Sequence, residues 1–326
     1  MTLRGVWLHP AETRLTAGQR VDGLWLVAVP RMHDEEVDVD GALVRRLLSA
    51  QAPDLAHLPL HRVEAWGTDH AIFRLGDELS VRVPKIGWAA RQGPKEARWL
   101  GVLAPHLPVE VPVPVFVGEP GSGYPYHWYV SPWLDGENPV PSGPTDQVQL
   151  AVDLAAFVHA LQAVGASGAP EPTGGRRGGP LAAADEITRN RAEDLRGETD
   201  VDALVAVWDA GLSAPVWDGP LVWAHGDLSD GNLLVRDGRL SGVIDWGSSI
   251  AGDPAVELMV AWNLFDAPAR DAYREALGFV DDAMWLRGRA WAVSAAILAL
   301  PYYRDTNPDI CARSWRAVHA ALADIA

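Results

Sequence analysis

The sequence predicts an α+β chain of two lobes, on three observations. Short β-type runs bounded by glycine turns cluster between about residues 60 and 130. Runs of helical period dominate after Gly136. With 326 residues the chain is long enough for one large or two medium domains with a real core. The expected divisions are 1–31 as an N-terminal extension, 32–134 as a lobe of antiparallel sheet with one helix, and 135–326 as a mainly helical lobe.

The elements follow in order. Residues 1–31 hold Pro10, Gly18, Gly23 and Pro30 around one strand-like run, 24–29. They read as a loose extension ahead of a natural start at Met32, with a strand docked on the sheet as the alternative. Ala42, Leu43, Leu47 and Leu48 recur at helical spacing after an N-cap at Asp38 or Asp40. Runs 62–66, 71–75 and 79–83 read as strands punctuated by Gly67 and Gly76-Asp77. A helix over 93–103 puts Ala97, Leu100 and Leu103 on one side, and strands follow over 111–117 and 126–130. Residues 148–164 form an amphipathic pattern. Residues 165–179 are rich in Gly, Pro, Arg and Ala without period, which reads as a mobile loop. Helices are expected near 181–196, 200–211, 254–265, 268–277, 281–300 and 308–325. Most of the tryptophans are expected in packing between elements.

Composition narrows the function. A net charge of −16 argues against a nucleic-acid partner, which needs a basic face to neutralise phosphates. It is compatible with a cationic small molecule, although solubility alone accounts for it. The single cysteine, Cys311, permits no disulfide within the chain and no thiolate cluster, which fits a reducing, cytoplasmic setting. Cys311 reads as a packed residue. No apolar run reaches membrane-span length: 290–300 is short and follows Arg287 and Arg289, so it reads as a buried helix. No signal peptide is legible.

The chemistry concentrates in His225-Gly226-Asp227-Leu228-Ser229-Asp230-Gly231-Asn232 and Ile244-Asp245-Trp246-Gly247. Asp227 is suited to take or orient a hydroxyl proton, and Asn232 and Asp245 to hold Mg²⁺. Asp237-Gly238 between two apolar runs predicts a hairpin that returns Asp245 beside Asn232. Taken singly, each of these residues reads as a turn cap or strand end; their coincidence outweighs that reading. His225 is expected to hold the loop by hydrogen bonds.

The order H-x-D-L-x-x-x-N and then D-x-G is that of the protein-kinase catalytic loop and metal motif. Together with Val243-Ile244-Asp245-Trp246-Gly247 and Gly252-Asp253-Pro254-Ala255, it resembles the aminoglycoside phosphotransferase family, which includes macrolide kinases. The resemblance runs from about Met32 to the C-terminus. It takes in Gly67-Thr68-Asp69, Val81-Arg82-Val83-Pro84, Glu96, the segment 124–129 and Trp133-Leu134-Asp135-Gly136. It implies a two-lobed, protein-kinase-like fold that uses ATP or GTP with Mg²⁺ to phosphorylate a hydroxyl of a small molecule. A family member of this kind acts as a monomer or dimer, without nucleic acid or membrane, and can confer antibiotic resistance.

The remaining roles follow from the resemblance and strand alternation. Arg82 stands in register with the kinase lysine, with Lys85 as a fallback, and Glu96 is its expected partner. The loop 66–70 covers the phosphates. Adenine is expected to bind the backbone of the link between lobes through Ser131 or Trp133, since Pro132 has no N–H. Asp253 either braces the catalytic loop or caps the next helix, and Glu257 has no assigned role. Asp266, Tyr302, Tyr303, Asp305 and Asp309 either line the acceptor pocket or sit at surface helix ends. The favoured acceptor is aminoglycoside-like. The alternatives are a macrolide or another hydroxylated metabolite, or a nucleotide-binding pseudokinase. A metal-dependent hydrolase built on His225 and Asp227 lacks the further His and acidic ligands it would need.

Overall fold

The computed structural model describes residues 20–21, 24–25, 35–63, 68–140, 143 and 145–324. Two short strands, β1 (Arg20–Val21) and β2 (Leu24–Trp25), pair antiparallel as a sheet of their own. The rest of the expected extension lies outside the described residues, as do Trp66 and Gly67 of the phosphate loop.

Helix α1 (Gly41–Gln51) starts where Asp40 accepts the Leu43 N–H at 2.7 Å. Strands β3 (Leu60–Arg62), β4 (His70–Leu75) and β5 (Leu79–Pro84) form a meander. Helix α2 (Gln92–Leu103) follows, then β6 (Phe116–Gly118) and β7 (Trp128–Pro132). The sheet runs β3-β4-β5-β7-β6, antiparallel throughout. Only the end of the expected 111–117 strand forms, because Pro112 and Pro114 offer no N–H to a ladder. Alternation along β5 sends Val81 and Val83 into a core with Leu47, Phe73 and Val130. Ser80 and Arg82 take the other face.

The second lobe begins with α3 (Gln147–Gln162), α4 (Asp185–Glu193) and α5 (Val201–Ser213). Strand β8 (Val222–Ala224) leads to the hairpin of β9 (Leu233–Arg236) and β10 (Arg239–Val243). Asp237 and Gly238 both adopt positive φ, the turn that matches strand twist. Strand β11 (Ile250–Gly252) pairs back onto β8. The expected helix 254–265 starts as a 3₁₀ segment and continues as α6 (Val260–Asn263). Helices α7 (Ala267–Leu277), α8 (Asp282–Tyr303) and α9 (Pro308–Ala323) complete the lobe.

The larger core gathers Leu154, Val158, Trp208, Trp223, Trp246, Trp262 and Trp291, and it also takes Leu100 and Leu103 from α2. Trp99 of α2 meets Trp223 edge-on at 5.0 Å. The helix inserted in the sheet lobe is therefore packed into the helical one. Among the described residues no helix is long and apolar enough to cross a membrane.

Two further features position the site. Residues 165–179, expected as a mobile loop, dock on the free edge of β11. Ala251 N–H donates to Pro170 O, and Asp253 N–H to Gly178 O, each at 2.8 Å. That edge needs acceptors, and the loop carbonyls supply them. The approach is close: a Cβ on Gly252 would lie 2.5 Å from Gly178 O. Asp253 caps Ala255 and forms a buried two-point pair with Arg287 of α8, at 2.7 and 3.2 Å. Arg287 also donates to Pro215 O at 2.6 Å.

Arg287→Met would strand the buried Asp253 carboxylate and is expected to cost about 3–5 kcal/mol in urea unfolding. Arg191→Met, which breaks the exposed pair with Asp194, should cost less than about 1 kcal/mol.

Candidate active site

The segment 225–232 joins β8 to β9 without a strand partner, so its shape must come from side chains. Glu257, unassigned from sequence, accepts the His225 N–H on its buried carboxylate, and the Gly226 N–H lies near enough to oppose the rise in its pKa. The His225 ring donates from Nε2 to Ile244 O at 3.0 Å and accepts the Asp227 N–H on Nδ1 at 3.3 Å. It packs edge-on against Trp246, and burial lowers its pKa, so the neutral ring is favoured. The structural role expected for His225 is the one found. Asp253 is committed to Arg287 instead, so the loop brace is Glu257 four residues on.

The far end of the loop is held from α9. Asp230 receives Arg313 on one oxygen and Arg316 on the other, the latter at 2.6 Å. Asn263 donates to Leu228 O, and Asn138 to Leu233 O. Arg313 and Arg316 lie on one helix face by their i, i+3 spacing. Nothing in the sequence ties that face to Asp230, more than 80 residues earlier.

Asp227, Asn232 and Asp245 are brought together as expected. The Asn232 amide nitrogen donates to Asp227 O at 2.8 Å and to its carboxylate at 3.3 Å. With the nitrogen so engaged, Asn232 Oδ1 is the end left for a cation. Ile244 N–H donates to Asn232 O at 2.9 Å, which fixes the next residue, Asp245, at the hairpin mouth. Asp245 adopts a left-handed backbone, φ 62° and ψ 71°, a conformation seldom taken outside glycine and enriched at functional positions. Its carboxylate is 43 % exposed and faces Arg82 Nη2 at 3.6 Å. An amide oxygen and a carboxylate, with room for water and phosphate oxygens, fit Mg²⁺.

On the sheet side Arg82 is buried beneath the Tyr129 ring, 5.8 Å from its centroid. Its reach goes to Asp245, and the expected pairing with Glu96 does not close: neither Glu96 oxygen is hydrogen-bonded to the guanidinium. One guanidinium faces two carboxylates, and the more exposed one on the metal loop takes the contact. Burial pushes Glu96 up to about 7, against the pull of Arg82 and helped by Asp245. Lys85, the fallback, is taken by Glu36 at 3.2 Å. A lysine not singled out from sequence, Lys95, donates from α2 to Gly247 O at 2.8 Å. Burial brings its pKa down to about 8. A Cβ at Gly247 would lie 2.6 Å from Gln92, so the glycine lets α2 sit on the metal loop.

The link between lobes differs from expectation. The Trp133 N–H is spent on Glu78 O at 2.7 Å, and its ring stacks under Arg74. Ser131 pairs with Ser80 two residues earlier, so ladder alternation turns its N–H to the same side. Leu134 follows two residues beyond the end of β7. Of the five acceptor candidates, Tyr303 stands beside Thr68 and Asp69 and feels the charge of Asp227. Tyr302 packs edge-on against it. Asp266 caps α7, while Asp305 and Asp309 are exposed. Arg177, from the docked loop, donates to the Asp227 carboxylate. Its sequence context, taken as mobile, gave no signal for this.

A five-strand antiparallel sheet set over a helical lobe, with a hairpin-borne Asn and Asp beside a loop carboxylate, defines a protein-kinase-like phosphotransferase fold. The chain belongs to the phosphotransferase enzyme family, whose model matches residues 60–291. It is 26% identical over 202 residues to Uncharacterized protein YcbJ of Bacillus subtilis (strain 168), covering 57% of this chain and 58% of that one. The chain thus spans less than two thirds of that curated relative. The fold is similar to the GDP and kanamycin complex of APH(2")-IIia, with TM-score 0.69 and 19% identity over 86% of this chain and 98% of that one. It is also similar to macrolide 2'-phosphotransferase type I, with TM-score 0.58 and 23% identity over 85% and 96%.

Burial pushes Glu257 from 4.5 up to about 7, with the N–H groups of His225 and Gly226 opposing. The folded state therefore holds the proton better than the unfolded chain. That stabilisation is complete below pH 4.5 and is lost as pH rises through about 7. Glu257→Gln should flatten the fall in unfolding free energy between these limits, by up to roughly 3 kcal/mol, in urea melts run across pH.

Proposed function

We propose that the protein moves the γ-phosphoryl group of ATP or GTP to a hydroxyl of a small molecule, with an aminoglycoside-like compound as the first acceptor class. The observation that carries this reading is the Asn232 amide held by both the main chain and the carboxylate of Asp227. It sets a proton acceptor and a cation ligand on one loop, opposite the Asp245 carboxylate. Residues 32–134 are the nucleotide lobe and 135–326 the acceptor lobe.

In this reading Asp227 orients the acceptor hydroxyl and receives its proton as the oxygen attacks phosphorus. Arg82 and Lys95 neutralise the phosphates from the sheet side, and Glu96 sits behind Arg82. Leu134 donates its backbone N–H to the base. Asn232 and Asp245 would hold Mg²⁺, which neutralises charge on the phosphate oxygens when bound. Tyr303, between the phosphate loop and Asp227, borders the acceptor. The likeness to the kanamycin complex of APH(2")-IIia supports the aminoglycoside class. The likeness to macrolide 2'-phosphotransferase type I supports a macrolide as the second reading. Release of nucleoside diphosphate over a panel of aminoglycosides, macrolides and simple polyols separates the two.

Asp227→Ala is expected to lower turnover by roughly 10²–10⁴-fold while nucleotide binding persists. Asp245→Ala should abolish the Mg²⁺-dependent part of nucleotide binding in calorimetric titration. Full activity in both variants would end the assignment.

A further inference from the structure

We infer that Arg177 is a further catalytic residue, a guanidinium supplied in cis that leaves Asp227 for the transferring phosphoryl group; this rests on the phosphotransferase reading above. Four observations carry it. Arg177 Nη1 donates to Asp227 Oδ1 across 50 residues of sequence. Both side chains remain partly open to the cleft, 34 % and 38 % exposed. The cation therefore stands at the atom that must receive the acceptor proton.

The backbone that presents Arg177 is fixed. Its neighbour Gly178 accepts the Asp253 N–H at 2.8 Å, and Gly179 N–H donates back to Arg176 O at 3.1 Å. A Cβ on Gly178 would lie 2.4 Å from the Ile250 side chain. Asp253 is in turn held by the buried Arg287. Such anchoring holds the residue at the cleft wall, and only its side chain has freedom to move.

The adjacent residue points to the same region. Arg176 acts on Lys95, which reaches Gly247 O beside Asp245. The cation next to Arg177 thus adds positive charge near Lys95, while Arg177 alone pairs with a site carboxylate. A carboxylate oxygen that accepts from a guanidinium is not free for a hydroxyl proton. A γ-phosphate offers several oxygens to the same planar fork, and bidentate binding to phosphate is the geometry that arginine favours.

The exchange follows from these charges. On nucleotide binding the Arg177 guanidinium turns from Asp227 to the γ-phosphate oxygens and frees Oδ1. The acceptor oxygen then forms its bond to phosphorus while its proton passes to Asp227. The bond from phosphorus to the bridging oxygen breaks, and its electron pair leaves with the nucleoside diphosphate. Arg177 stays protonated throughout and neutralises charge on the phosphoryl oxygens.

The test uses the full chain and any acceptor that the panel identifies, or water as the slow acceptor. Arg177→Ala is expected to lower kcat on the order of 10³-fold, with the nucleoside diphosphate Kd within about threefold of the parent. It should also lose the extra affinity for diphosphate plus aluminium fluoride, a mimic of the planar phosphoryl group. Added guanidinium should restore part of the turnover of Arg177→Ala and none of that of Asp227→Ala. Arg177→Lys, which keeps the charge and loses the fork, should fall between parent and Ala. An Arg177→Ala kcat within about threefold of the parent, in a preparation whose Asp227→Ala is inactive, would overturn the inference and leave the kinase reading standing. A raised kcat would overturn it too, and would make Arg177 a plug over Asp227. A parent that neither binds nucleotide nor transfers phosphate would overturn both.

Discussion

Glu257 carries its carboxylate into the helical lobe, where the N–H groups of His225 and Gly226 point at it. The loop from 225 to 232 keeps its form because β8 ends at Ala224, so the ladder to β11 supplies no acceptor beyond that point. A buried backbone donor without an acceptor costs about as much as a lost hydrogen bond, and a side chain has to take over. The candidate site stands downstream of this: the His225 ring, held to Ile244, joins the loop to the hairpin end that carries Asp245. Tyr273 closes the arrangement by donating to Glu257 O at 3.1 Å. A brace made of one carboxylate tolerates a high pKa because a protonated acid still offers an acceptor oxygen.

The cleft is a problem of charge balance solved from three directions. Arg82 comes from the sheet, Lys95 from α2 and Arg177 from the docked loop, while Asp227 and Asp245 oppose them. Glu96 lies behind, and burial raises its pKa to about 7. The cations are spread over elements that differ in rigidity. Arg82 is locked between strands, Lys95 is tied to a backbone carbonyl, and Arg177 is held by its backbone while its side chain stays partly exposed. A cleft that must admit a polyanion and release a lesser one gains from having at least one cation able to move.

Most of the architecture was legible from local pattern. The cap at Asp40, the apolar run inside α8 and the Asp237-Gly238 turn each follow from nearest-neighbour physics. The failures share a cause. The strand expected over 111–117 broke on two prolines, and the loop 165–179 looked mobile because its order comes from the edge of β11 and not from its own period. Trp133 was a reasonable donor until ladder alternation assigned its N–H to Glu78. Of the two roles open to Asp253 the cap is the one it takes, with Arg287 as its ion-pair partner, and the loop brace falls to Glu257.

By itself the sequence determined the two-lobed class, the hairpin, and the meeting of Asp227, Asn232 and Asp245. These depend on spacings of a few residues, over which turn and strand geometry leave little choice. Tertiary structure alone decided what grips that loop and what faces it. Arg313 and Arg316 reach Asp230 from the last helix, and Arg177 reaches Asp227 from a segment without secondary structure. Long cationic side chains can pair with any carboxylate within reach, so their partners are settled only when distant elements pack and place one acid before one base.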